Sequence, residues 1–139
     1  MIKKKDERRK HIRVLPEHNY PISVDINGEN FIEVLKAIDI SEGGVGISVP
    51  SELKGCYTDM PVTLVISLPQ PVEYLFSVLG KIKHVANKKF GVIFLNLDKT
   101  SLMKIRQYIA YRIKSESWIM YLKYKLRLIL KTAGVHFIL

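Results

Sequence analysis

Residues 31–49, FIEVLKAIDISEGGVGISV, contain the clearest evidence for the fold of this chain. Residues 31–40 alternate between two faces, with Leu35, Ala37 and Asp39 on one of them, and are rich in the residue types that favour strands. Gly43 and Gly44 break this run, and residues 45–49 then resume the β-prone pattern. The stretch therefore predicts two strands with a sharp turn between them.

Four further β-prone runs flank this stretch. Residues 20–26 alternate and end at Asn27-Gly28, a strong hairpin signal that pairs this run with the next strand. The other three runs cover residues 62–68, 76–85 and 90–95. Six short strands at close spacing predict a closed antiparallel barrel or a sandwich.

The pattern changes to helical from Thr100 onward, with Ser101 as the expected N-cap. A first apolar row at helical spacing comprises Leu102, Ile105, Ile109 and Ile113. A second row, out of phase with the first, comprises Ile119, Leu122, Leu126, Ile129 and Leu130. The phase changes at residues 115–117, so we expect one long or broken C-terminal helix that ends at Gly134.

Two short polar patterns point to a site for an anion. Arg9 and Arg13 offer two guanidiniums, whose rigid forks of N–H donors match a phosphate or the edge of a guanine. In the second pattern, the Asp39 carboxylate can accept from a base N–H and the Ser41 hydroxyl can reach a phosphate oxygen. The adjacent pair Gly43-Gly44 lets the backbone turn sharply and approach a ligand closely.

The order of these two patterns, R-x-x-x-R and then D-x-S-x-x-G, resembles the signature of the PilZ domain, a bacterial receptor module for cyclic diguanylate (c-di-GMP). Arg9 and Arg13 match the two arginines, while Asp39, Ser41 and Gly44 match the second element. The resemblance extends over roughly residues 5 to 112.

The resemblance implies a six-stranded antiparallel β-barrel followed by the C-terminal helix. It divides the chain into a flexible basic strip over residues 1–14, a barrel over residues 15–99 and a helical extension over residues 100–139. It also implies that c-di-GMP is the ligand and that binding orders the basic strip. The ligand-binding residues would be Arg8, Arg9, Arg13, Asp39, Ser41, Gly43 and Gly44. Of these, Arg8 is either one more tail charge or a guanidinium that reaches a second ligand molecule.

Composition excludes several classes of function. The net charge of +9 is concentrated near the two ends of the chain and attracts polyanions in general. The single Cys56 cannot form an internal disulfide, and the four histidines lack the spacing of a metal site. No apolar run is long enough to span a bilayer, and the opening residues lack the apolar core of a signal peptide. We therefore expect a cytoplasmic receptor that is not an enzyme.

Three features of the sequence have alternative interpretations. Residues 39–44 also fit an ordinary turn, in which Asp and Ser bond their own backbone and Gly supplies a positive φ. For the second apolar row, we expect Ile119, Leu122, Leu126 and Ile129 to be buried, and we place contact with another copy of the chain slightly ahead of docking on the chain's own barrel. An interfacial membrane helix is the alternative, since aromatic and basic residues surround the row. The rival function is a PilZ-like interaction or membrane-associated module that binds no nucleotide.

Overall fold

The computed structural model describes residues 10–49 and 55–132, and the fold is given for these residues. The strands are β1 (Ser23–Asn27), β2 (Ile32–Ile40), β3 (Gly44–Ser48), β4 (Pro61–Leu68), β5 (Tyr74–Ala86) and β6 (Lys89–Phe94). Two helices follow, α1 (Lys99–Glu116) and α2 (Trp118–Thr132).

The six strands form a closed barrel in the order β1-β2-β3-β6-β5-β4, and each strand is antiparallel to its neighbours. Because successive side chains of a strand point to opposite faces, every second residue of a strand lies in the core of the barrel. In β4, for example, the buried residues are Val62, Leu64, Ile66 and Leu68. The barrel, one of the two β architectures that the sequence left open, is confirmed.

The hairpin predicted after residues 20–26 is confirmed, but its turn lies slightly later in the chain. β1 pairs with β2, and the Gly28 N–H donates to the Phe31 carbonyl oxygen at 2.9 Å. The turn therefore centres on Glu29 and Asn30.

Strand β2 does not keep the regular alternation that the sequence predicts. Its pairing with β3 shifts in register between Ala37 and Asp39, which leaves Ile38 as the extra residue of a β-bulge. After the bulge the inward face changes, so that Ile40 is fully buried in the core. The prediction that Asp39 shares a face with Leu35 and Ala37 is therefore wrong, because it assumed an unbroken period of two.

The C-terminal region forms two helices rather than one long or broken helix. Ser117 has an extended backbone (φ −160°, ψ 119°) and ends α1. Its hydroxyl oxygen accepts from the Met120 N–H at 3.3 Å, which caps α2. The prediction of Ser101 as the N-cap of α1 is wrong. Asp98 occupies that position, and its carboxylate accepts from the Ser101 N–H at 2.6 Å.

Helix α1 buries its row of aliphatic residues, whereas α2 buries the face opposite its aliphatic row. Ile105, Ile109 and Ile113 of α1 are fully buried against the barrel, as the first apolar row predicts. Helix α2 packs through Tyr124, which is 2% exposed, together with partly buried Met120, Tyr121 and Leu128. The second apolar row points away from this contact and is exposed: Ile119, Leu122, Leu126 and Ile129. Docking of this row on the chain's own barrel is therefore not found among the described residues.

Candidate functional site

A short bridge joins the N-terminal segment to the end of β2. The Val14 N–H donates to the Ile40 carbonyl oxygen, and the Ile40 N–H donates to the Val14 carbonyl oxygen, both at 3.0 Å. Ile12 and Val14 are buried, which fixes this segment on the barrel. Arg13, between them, is therefore held beside the segment that follows β2.

A groove of about 860 Å³ opens at this junction and is bounded by the N-terminal segment, the β2–β3 turn, β5 and β6. This volume suits a ligand the size of a small organic molecule or nucleotide. The groove contains every predicted site residue that the structure describes: Arg13, Asp39, Ser41, Gly43 and Gly44. Arg8 and Arg9 lie outside the described residues.

Ser41 shapes the turn at the centre of the groove. Its N–H donates to the Gly44 carbonyl oxygen at 2.9 Å, and its hydroxyl oxygen accepts from the Gly43 N–H at 3.1 Å. The turn expected from the sequence is therefore present, with Glu42 and Gly43 at its tip. Ser41, Gly43 and Gly44 all line the groove.

Glycine is required in this turn for a different reason than a positive φ. Neither Gly43 nor Gly44 adopts a left-handed conformation. Instead, a Cβ at Gly44 would lie 2.3 Å from the carbonyl oxygen of Val92 on β6. A Cβ at Gly43 would lie 2.8 Å from Cδ2 of His11. The glycines thus permit close packing of the turn against β6 and the N-terminal segment.

The Asp39 carboxylate is held against strand β3. Asp39 is only 4% exposed, and its Oδ1 accepts from the Gly46 N–H at 3.1 Å. A Cβ at position 46 would lie 2.6 Å from the same Oδ1, so glycine there lets the carboxylate approach the strand. The carboxylate orientation at the groove is therefore set by the barrel itself.

The groove carries more positive charge than the sequence motifs indicated. Lys10, Lys83 and Lys89 line it along with Arg13, whereas Asp39 is the one acidic residue in its described lining. The β5–β6 pairing explains the position of Lys83, since its register shifts between Ile82 and His84 and leaves Lys83 in a second bulge. Lys83 also forms an ion pair with Asp59 at 2.6 Å.

Lys83 and Lys89 were not predicted because they belong to β5 and β6, which are remote from the motifs in the sequence, whereas Lys10 lies between the two motif arginines and was not singled out. The two bulges bring Ile38 and Lys83 to opposite walls of one groove, and bulges are frequent beside binding sites. His11 and His84 also line the groove, although their spacing in the sequence gave no signal.

Glu42, although it lies within the motif, does not line the groove. Its carboxylate accepts from Nε of Arg106 on α1 at 3.0 Å and lies 3.9 Å from Nζ of Lys131 on α2. The side chain is 7% exposed. Beside it, burial raises the pKa of Tyr124, and the nearby Glu42 charge acts in the same direction. The negative charge of Glu42 is therefore balanced by cations of the two helices.

His11 joins the groove to this charged cluster. Burial lowers the pKa of His11, and Lys131 and Lys10 act in the same direction, against the opposing effect of Glu42. At neutral pH the imidazole is therefore uncharged and packs against the turn at Gly43.

The arrangement is suited to recognition of an anion that also carries N–H groups. The cations can bind phosphate oxygens, the Asp39 carboxylate can accept from a base, and the backbone amides of the turn can donate. Across residues 10–49 and 55–132, no three side chains of His, Cys, Asp or Glu are grouped to hold a metal ion. In the same ranges, neither helix is long and apolar enough to cross a membrane.

Comparison with known proteins agrees with this architecture. A family model described as PilZ domain matches residues 7–111, which is most of the chain. No curated protein matches the chain in sequence.

Several solved structures share the fold at low sequence identity. The Bacillus subtilis inhibitor of motility, MotI/DgrA, superposes with a TM-score of 0.68 at 16% identity, covering 79% of this chain and 53% of that chain. The PilZ domain of Escherichia coli YcgR with c-di-GMP gives a TM-score of 0.63 at 16% identity, covering 78% of this chain and 93% of that chain. The K. pneumonia MrkH–c-di-GMP complex gives 0.57 at 16% identity, covering 73% and 50%. The chain thus matches about half the length of MotI/DgrA and MrkH.

Proposed function

Because the chain belongs to the PilZ domain family, we propose that it is a bacterial receptor that binds c-di-GMP in the groove described above. The observation that carries this proposal is the hydrogen-bonded bridge between Val14 and Ile40. It places Arg13 of the first motif in the same groove as Asp39 and Ser41 of the second.

Each residue of the proposed set has a role, which fits the position of those that the structure describes. Arg9 and Arg13 bind phosphate oxygens or the O6/N7 edge of a guanine through their paired N–H donors. Asp39 accepts from a guanine N–H, Ser41 contacts the ligand's polar atoms, and Gly43 and Gly44 let the backbone approach the ligand closely. Arg8 belongs to the proposed set as a contact to a second ligand molecule. Lysines 10, 83 and 89 add long-range attraction for a ligand with two phosphates.

Calorimetric titration tests the proposal. We expect heat of binding with c-di-GMP and much weaker binding of GMP, which lacks the second base and phosphate. Arg13→Ala and Arg9→Ala should each cost at least about 1–3 kcal/mol of binding free energy, the value of a good bidentate contact. Arg13→Lys should not restore binding, because an ammonium lacks the planar fork.

Lys36→Ala is the matched control, since Lys36 is an exposed cation on β2 that does not line the groove. It should bind as the wild type does. A wild-type protein that gives no heat with c-di-GMP would contradict the receptor proposal and leave the interaction module as the function.

The proposal includes a route for the signal from groove to helices. Glu42 sits at the tip of the ligand-binding turn and is ion-paired with Arg106 of α1 and, at longer range, with Lys131 of α2. Movement of Ser41 or Gly43 on binding would displace Glu42 and so shift the helices. This route supports α2 as the output element of a cytoplasmic receptor that performs no catalytic step.

Trp118, the single tryptophan of the chain, allows this route to be measured. We expect c-di-GMP to change the emission of Trp118, which begins α2. Glu42→Gln should still bind the ligand but lose most of this change, because the ion pair with Arg106 is weakened. Glu33→Gln, an exposed acid on β2, is the control. An undiminished emission change in Glu42→Gln would exclude this route.

A further inference from the structure

Helix α2 leaves one face largely exposed in the described part of the chain. Five large apolar side chains share this face, with exposed fractions between 46% and 69%: Trp118, Ile119, Leu122, Leu126 and Ile129. Tyr124, on the opposite face, holds the helix against the rest of the molecule and is 2% exposed. An apolar face of this kind marks an interaction surface.

Two lysines border the row on its two sides. Lys123 lies four residues after Ile119 and three before Leu126, while Lys125 lies three after Leu122 and four before Ile129. Residues three or four apart are neighbours on a helix, so each lysine adjoins one edge of the row. Both lysines are exposed.

Helix α2 contains no acidic residue to balance these charges. Its sequence, WIMYLKYKLRLILKT, has four cations and no Asp or Glu. If a second copy covered the row with its own α2, Lys123 and Lys125 would face like charges with no carboxylate on either helix to pair with them. An occupant with dense negative charge around an apolar interior fits this face better.

We propose that the exposed face of α2 binds the surface of an anionic phospholipid membrane. The helix lies in the plane of the membrane, with Leu122 and Leu126 entering the acyl region and Lys123 and Lys125 extending to the phosphate groups. Trp118 sits at head-group depth, where aromatic rings accumulate. The described part of α2, 15 residues, is about 22 Å long, which is shorter than a hydrocarbon core of about 30 Å.

Vesicle binding of the full chain tests this proposal. The probes are vesicles of phosphatidylcholine alone and of phosphatidylcholine mixed with phosphatidylglycerol, read by co-sedimentation and by Trp118 emission. We expect binding and a blue shift only with the anionic vesicles. Lys123→Gln with Lys125→Gln should lower the partition coefficient by about tenfold or more, since each lysine near an anionic surface contributes about a fivefold factor.

A matched control removes the same charge elsewhere. Lys36→Gln with Lys99→Gln changes two exposed lysines outside α2 and should bind nearly as the wild type does. Leu122→Ser with Leu126→Ser should abolish the blue shift while circular dichroism remains unchanged, because both side chains are exposed.

Three results would overturn the proposal. One is equal binding to neutral and anionic vesicles. Another is retained anionic binding in the Leu122→Ser, Leu126→Ser variant, which would assign the attraction to the basic N-terminal residues. The third is absence of vesicle binding together with a dimer in sedimentation that the same variant converts to a monomer, which would identify a second copy as the occupant.

Discussion

At the scale of single residues, the groove depends on a few side chains and glycines that serve packing and binding together. Gly44 stands where any Cβ would meet the Val92 carbonyl oxygen at 2.3 Å. The Asp39 carboxylate is oriented by the Gly46 N–H at 3.1 Å. The shape of the groove is therefore fixed by contacts within the barrel, and such rigidity reduces the ordering cost of binding.

His11 makes the stability of this region depend on pH. Burial holds its pKa below the ordinary 6.5, so the unfolded chain takes up this proton at a higher pH than the folded protein does. Between about pH 7 and pH 5 the unfolded state therefore binds more protons, and the unfolding free energy falls as the pH falls. We expect His11→Gln to flatten this dependence in urea unfolding followed across the same range.

His18→Gln provides the comparison, because His18 is an exposed histidine in the same segment. That variant should keep the wild-type dependence on pH. If His11→Gln and the wild type lose stability in parallel as the pH falls, other groups govern the acid sensitivity.

At the scale of elements, Ser117 separates two helices that pack differently. Helix α1 covers the barrel with Ile105, Ile109 and Ile113, whereas α2 attaches through Tyr124 and keeps its apolar row outside. The sequence located the change of phase at residues 115–117. It did not show which face of α2 would pack, because Tyr124 lies outside the aliphatic row and its burial depends on the position of α1 and Glu42.

Paired alanine variants test this division of α2. Tyr124→Ala removes a buried aromatic ring and should lower the unfolding free energy by about 3 kcal/mol or more. Leu122→Ala removes a side chain that is 62% exposed and should change it by less than about 0.5 kcal/mol. Denaturant unfolding measures both. A large loss in Leu122→Ala would show that the row is buried in the protein as it exists in solution.

The strands could be predicted from the sequence, but the two β-bulges within them could not. All six runs and their antiparallel arrangement follow from alternation and turn residues. The bulges at Ile38 and Lys83 do not follow, because an extra residue in one strand becomes visible only when the pairing partner is known. These bulges displace Asp39 from the predicted face and bring Lys83 to the groove.

At the scale of the whole molecule, the barrel unites groups that are far apart in the chain. Arg13, Asp39, Ser41, Gly43 and Gly44 were identified as a set by their motifs, and the structure places all five in one groove. Lys83, His84 and Lys89 could not be identified, since only the pairing of β3 with β6 and of β6 with β5 makes these strands neighbours of the motif turn. Division of the chain at residues 14 and 99 stays a prediction, as does ordering of the basic strip by the ligand.

Backbone amide chemical shifts followed during titration with c-di-GMP test directly whether this groove binds the ligand. We expect saturable shifts concentrated at Arg13, at the glycines 43, 44 and 46, and at the groove-lining residues 83, 84, 86 and 89–93. Saturable shifts confined to α2, or no shifts at all, would contradict the assignment of this groove as the c-di-GMP site.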